Sequence, residues 1–151
     1  TLYFQERELF LHLLEKDIAS IVRRAGRKGY QPCVRLNGTS DIRWERHGIM
    51  EKFPEVQFYD YTKIVNRRDL PDNYSLTFSR SECNGDHLET ALSNGMNVAA
   101  VFNGLPSEYM GIPVIDGDEH DLRFLDPKPC IVGLSAKGSA KKDDSGFVIF
   151  Q

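Results

Sequence analysis

Apolar positions along the first quarter of the chain recur every three or four residues. Leu9, Phe10, Leu13, Leu14, Ile18, Ile21, Val22 and Ala25 fall on one stripe, the spacing of an amphipathic helix. Glu8, Glu15, Lys16, Asp17, Arg23 and Arg24 take the other side. Acidic residues lean early and Arg23, Arg24, Arg27 and Lys28 lean late, the order a helix dipole favours. Gly26 and Gly29 are expected to stop this helix, read over 6–25. Leu2-Tyr3-Phe4-Gln5 matches the inner part of a protease site common in affinity tags. Thr1 and Glu6 depart from that site and the run merges into the helical pattern, so it is read as native.

Beyond residue 30 the pattern changes to short apolar runs closed by polar residues, at 33–37, 56–61, 74–79, 97–102, 112–116 and 130–134. Helical spacers are expected at 42–52 and 86–94, with a helical turn at 65–70, and 147–150 reads as an edge or closing strand. Strands about twenty residues apart with helical spacers signal right-handed βαβ units. The expected fold is α/β: a mainly parallel sheet of about six strands, a partial (β/α) barrel with the long amino-terminal helix packed outside. No repeat or linker divides the chain, so 1–151 reads as a single domain.

Composition narrows the chemistry. The chain has 151 residues, 27% charged and 40% hydrophobic, with a formal net charge of −3, which removes the global basic signature of a nucleic-acid coat but not a local basic patch. No apolar run approaches a membrane span. Cys33, Cys83 and Cys130 are odd in number and far apart, against a disulfide framework and for a reducing, cytoplasmic setting. No P-loop, dinucleotide glycine fingerprint, nucleophile elbow or Cys-x-x-Cys is present. His12, His47, His87 and His120 are scattered, and no metal ligands are assigned; catalytic residues are not identified.

The polar residues nevertheless have a direction. Arg35 to Asp41, Asp60 to Lys63, Ser79 to Glu82, Asp116 to Asp118 and Ser135 to Gly138 all follow predicted strands, where parallel α/β folds bind ligands. The candidate ligand-binding residues are Arg35, Asn37, Thr39, Asp41, Asp60, Lys63, Arg67, Ser79, Arg80, Glu82, Asp118 and Lys137. Mixed charge there fits either recognition of a zwitterionic or phosphorylated small molecule or an internally neutralised ion-pair network. Asp116 to Asp121 has the alternating carboxylates that clasp a hard cation, or that cap a turn.

Several of these runs in order, Val34–Ile42, Phe58–Lys63, Asn66–Pro71, Leu76–Glu82, Gly117–Pro127 and Val132–Gly138, resemble the phage-encoded gene product 88 family. The resemblance implies a phage or prophage protein in the host cytoplasm, and an upstream Cys-rich segment carrying an iron–sulfur cluster at the mouth of a radical-S-adenosylmethionine-like barrel. On that reading the chain is the carboxyl-terminal part of a larger architecture, or a cluster-free descendant. No cofactor is expected within the chain itself; the cluster and S-adenosylmethionine belong to a longer product. The alternative is a non-enzymatic accessory protein that binds a host protein or nucleic acid through a basic face of Arg23, Arg24, Arg27, Lys28, Lys141 and Lys142. Exposed sheet edges would also favour a homo-oligomer.

Overall fold

The computed structural model describes residues 2–150. A short helical turn, α1 (Leu2–Gln5), leads into the long helix α2 (Arg7–Lys28). Gly29, at a φ of 69°, caps α2, whereas Gly26 continues the helix and does not stop it. Phe10, Leu11, Leu14, Ile18 and Val22 form the packed side of α2, while Leu9 and Leu13 face out.

The sheet begins with β1 (Cys33–Val34) and β2 (Gln57–Thr62), joined through a 3-10 turn at Trp44–Arg46 and a single-turn helix α3 (Ile49–Lys52). These replace the continuous helix expected over 42–52. The connection to β3 (Tyr74–Ser79) carries no helical turn at 65–70. There Asn73 Nδ2 donates to the carbonyls of Met50, Phe53 and Val56, each at 3.1 Å, and fixes the chain by side-chain bonds instead. A 3-10 turn at Gly85–His87 and α4 (Leu88–Ser93) lead to β4 (Asn97–Phe102). The chain then forms a hairpin, β5 (Glu108–Tyr109) and β6 (Ile112–Asp116), before β7 (Ile131–Ser135) and β8 (Val148–Ile149).

The strand order is β1-β2-β3-β4-β7-β6-β5, with β8 also on β4. Every pairing is parallel except β5 with β6. The α/β class and the mainly parallel sheet stand. The barrel does not: eight strands form an open sheet, because the order reverses after β4. The chain crosses β7 to reach β6 and then returns to it, so the sheet cannot go on curling in one direction. Gly133 makes the crossing possible, since a Cβ there would lie 2.8 Å from Leu105 Cδ2 and 2.7 Å from Val114 Cγ1.

The two faces differ. One carries the main core, in which Phe58, Leu76, Phe78, Val98, Ala100 and Ile131 pack with Ile18, Trp44, Ile49, Met50 and Leu88. Alternation along each strand sends Tyr59, Tyr61, Ala99, Val132 and Leu134 to the other face, which carries a small buried cluster of Ala99, Cys130 and Val132. Its cover among the described residues is the β6–β7 connection, from which Phe124 packs on Tyr59 at 5.4 Å.

Candidate functional site at the carboxyl edge of the sheet

Two polar clusters sit at this edge, one inside the main core and one on the thin face. The first centres on Asp60, fully buried on β2. Its Oδ1 accepts the Asn37 N–H at 2.6 Å and its Oδ2 the Tyr74 hydroxyl at 2.7 Å. Asn37 in turn accepts Ser40 Oγ, the Ile42 N–H and Trp44 Nε1 at 2.8, 2.9 and 3.0 Å through one oxygen. Burial raises the Asp60 carboxyl above its ordinary value, opposed by the Asn37 and Tyr74 hydrogen bonds and by Arg67. Arg67, 1% exposed, donates through Nε and Nη2 to both Glu45 oxygens, through Nη1 to Asp41 at 3.2 Å, and through Nη2 to Tyr74 at 3.1 Å. Asp41 also takes Thr62 Oγ1 and the Lys63 N–H, both at 2.7 Å. Asn37, Asp41, Asp60 and Arg67 are therefore brought together, with their polar groups bonded to one another and to neighbouring protein groups.

Open space borders both clusters. A cavity of about 340 Å³ lies over Asn37, Gly38, Thr39, Ser40, Asp41, Thr62 and Lys63. A larger one, about 580 Å³, lies over Ala99, Val101 and Leu134 between Arg80, Phe147 and the Gly117–Asp121 wall. Arg35, Tyr61 and Ser79 line both. Arg35 stacks on the Tyr61 ring at 4.8 Å and donates to Asp121 Oδ2 at 2.8 Å, while the Tyr61 hydroxyl donates to Asp121 Oδ1 at 3.1 Å. Burial and the Asp121 charge push Tyr61 up to about 12, so it stays a protonated donor. Arg80 Nη1 donates to the carbonyls of Gly146 and Phe147, both at 2.9 Å, because β8 takes the place on β4 that β3 gives up at this point.

Asp118 accepts Lys137 Nζ and the Ser135 N–H, both at 2.9 Å, and these bonds hold its carboxyl down at about 2. Asp116 accepts the Asp118 N–H at 2.8 Å. The acidic segment thus caps a turn and pins a loop, and its carboxylates turn to different partners instead of converging. Among the described residues no group of three His, Cys, Asp or Glu is placed to hold a metal ion.

Of the twelve residues expected from sequence, eight line the two cavities: Arg35, Asn37, Thr39, Asp41, Lys63, Ser79, Arg80 and Asp118. Asp60 and Arg67 lie beneath, Lys137 binds a lining residue, and exposed Glu82 accepts the neighbouring Cys83 thiol, at 3.7 Å. The list of candidates left out Tyr61, His120, Asp121 and Phe147, although the first three lie in runs that the sequence had singled out. Tyr61 had a usable signal, being the polar-tipped aromatic at the end of a strand. Phe147 had none, since nothing local places β8 beside Arg80. The expected basic face also divides: Arg23 to Lys28 end α2 at the amino edge of β1, whereas Lys141 and Lys142 follow β7 at its carboxyl edge. No helix among the described residues is long and apolar enough to cross a membrane.

No curated protein matches the chain, and no solved structure does. The model of the family described as Gene product 88 matches residues 1–151. The protein thus belongs to the phage gene product 88 family.

Proposed function

We propose that the chain is a small-molecule-binding α/β unit of a phage protein acting in the host cytoplasm, and that its ligand lies in the crevice at the carboxyl edge of the sheet. The observation that supports this is the meeting of the two cavities at Arg35, Tyr61 and Ser79, on the face that a parallel sheet usually covers with helices. The crevice has an apolar floor of Ala99, Val101 and Leu134, and a rim of guanidinium, hydroxyl and amide groups that fix orientation. Open α/β sheets bind ligands at such a place, where the strand order reverses.

The iron–sulfur chemistry implied by the family resemblance has no support in these side chains. Cys33 and Cys130 stand at the amino edge, while Cys83 is exposed on the β3–α4 connection. These three residues do not fit a cluster; the resemblance assigns the cluster ligands to an upstream segment, not to this chain. What the geometry favours within that reading is a polar ligand at the carboxyl edge, S-adenosylmethionine being one such molecule.

Thermal-shift screening with nucleotides, amino acids, carboxylic acids and S-adenosylmethionine tests the proposal, followed by amide chemical-shift mapping of any hit. The expected result is a saturable rise in Tm with perturbations at Thr39, Tyr61, Ser79 and Arg80, abolished by Ser79→Leu. Perturbations confined to the amino edge around Asp72, Asn94 and Lys128 would overturn it.

A further inference from the structure

The β6–β7 connection carries an arginine that the protein does not satisfy. Arg123 is 2% exposed. Its Nη2 donates to the His120 carbonyl and lies 3.2 Å from His120 Nδ1. Its Nε stands 3.3 Å from Asp126 Oδ2 in an ion pair whose atoms are not aligned as a hydrogen bond. Among the described residues Nη1 has no hydrogen-bond partner. Leaving a charged donor buried and unpaired is costly, so a position like this calls for a group from outside the chain.

Its location says where that group enters. Nη1 lies 3.0 Å from the point a Cβ on Gly117 would occupy, and Gly117 and His120 both belong to the wall of the larger cavity. Charge bookkeeping around the cavity then limits the partner. Arg35 is paired with Asp121, Lys137 with Asp118 and Arg123 with Asp126. Arg80, across the cavity from that wall, meets only backbone carbonyls among the described residues and so has no carboxylate partner there, while Glu119 adds a further negative charge to the wall.

We infer that the larger cavity recognises a carboxylate, with the free Nη1 of Arg123 as its buried donor and Arg80 as the cation that balances its charge. A monoanion asks for no more than the one cation without a carboxylate partner, Arg80, and the one free nitrogen of Arg123, whereas a phosphate dianion would face Asp118, Glu119 and Asp121 with a charge left over. The entry step is a displacement of the Gly117–His120 wall, which is tied at its ends by Asp118 to Ser135 and by Asp121 to Arg35. This inference rests on the crevice reading and adds to it the chemical class of the ligand and a residue outside the cavity lining.

Side-chain guanidinium NMR on the intact chain tests it, titrating sodium propionate against sodium chloride at equal ionic strength, with inorganic phosphate as the competing anion. The expected result is a saturable shift of the Arg123 and Arg80 signals with propionate alone. Arg80→Gln should weaken propionate on the order of tenfold, and Arg123→Lys should abolish the response with the amide spectrum otherwise folded. A shift at Arg80 and Ser79 with Arg123 silent overturns the role of Arg123 while leaving the crevice reading standing. Tighter binding of phosphate overturns the carboxylate assignment. Equal responses to chloride and propionate, or none at Arg35, Ser79 and Arg80, overturn both the inference and the crevice reading. The wild-type titration decides the matter even if Arg123→Lys does not fold.

Discussion

Arg67 and Arg123 are equally hidden from solvent and differently served. Arg67 sits in the main core with donors directed to Glu45, Asp41 and Tyr74, and its guanidinium lies 5.6 Å from the centre of the Tyr74 ring. Arg123 lies on the thin face, where among the described residues Nε and Nη1 make no hydrogen bond and the Asp126 carboxylate stands misaligned beside Nε. Low exposure alone would have classed them together. The hydrogen-bond accounting separates them: a closed network holds the loops of the carboxyl edge in place, and an open one leaves capacity for a ligand.

The comparison can be broken by removing each arginine. Arg67→Met strands Glu45, Asp41 and the Tyr74 hydroxyl, and is expected to cost about 3–5 kcal/mol in urea unfolding. Arg123→Met is expected to cost less, because burial already raises the Asp126 carboxyl and disposes it to neutralise once alone. The reverse order would undo the distinction between the two clusters.

Next in size is Asp60→Ala, which removes the acceptor of the Asn37 N–H and the Tyr74 hydroxyl and should cost about 2–3 kcal/mol. Asp60→Asn keeps an acceptor oxygen and should cost less. The pH dependence sharpens this. A raised folded pKa means that ionisation of Asp60 opposes folding. Its contribution is present below the ordinary value near 3.8 and is lost as pH rises through the folded value. Asp60→Asn should therefore remove a fall in stability over that interval, seen in unfolding midpoints measured against pH.

Gly133→Ala is expected to cost about 1–3 kcal/mol by pressing on Val114 and Leu105 where the chain crosses β7. Asp118→Asn should have the smallest effect, because the residue is exposed and its bonds to Lys137 and Ser135 are screened. Its pKa is depressed, so its contribution is present above the ordinary value near 3.8 and is lost as pH falls toward about 2. Wild type and variant should converge at the acid end.

Much of this architecture was legible because parallel strands announce themselves. Val98-Ala99-Ala100-Val101-Phe102 and Ile131-Val132-Gly133-Leu134 are apolar runs bounded by polar residues, and the rim after each strand follows from the shared strand direction. The polar rim fitted most of a barrel or an open sheet, and the choice between them was not legible. Whether the connection after β4 passes over one strand or pairs beside it depends on Gly133 lying under Leu105, a contact 28 residues apart that no local pattern encodes. Mixed charge at the rim left ligand recognition and internal neutralisation equally open, and the structure contains an example of internal pairing around Arg67 beside the open cavities. Arg123 carried no signal because its meaning lies in bonds it does not make. Phe147 and Arg80 meet only because β8 pairs with β4 where β3 stops.

The most direct test of the account compares the stabilisation given by propionate in three proteins: wild type, Arg67→Lys and Arg123→Lys. A ligand bound to the folded state alone raises unfolding free energy by an amount set by its concentration over its Kd, whatever the starting stability. The account predicts the same increment in wild type and Arg67→Lys, and none in Arg123→Lys. An increment that disappears in Arg67→Lys and survives in Arg123→Lys would contradict it.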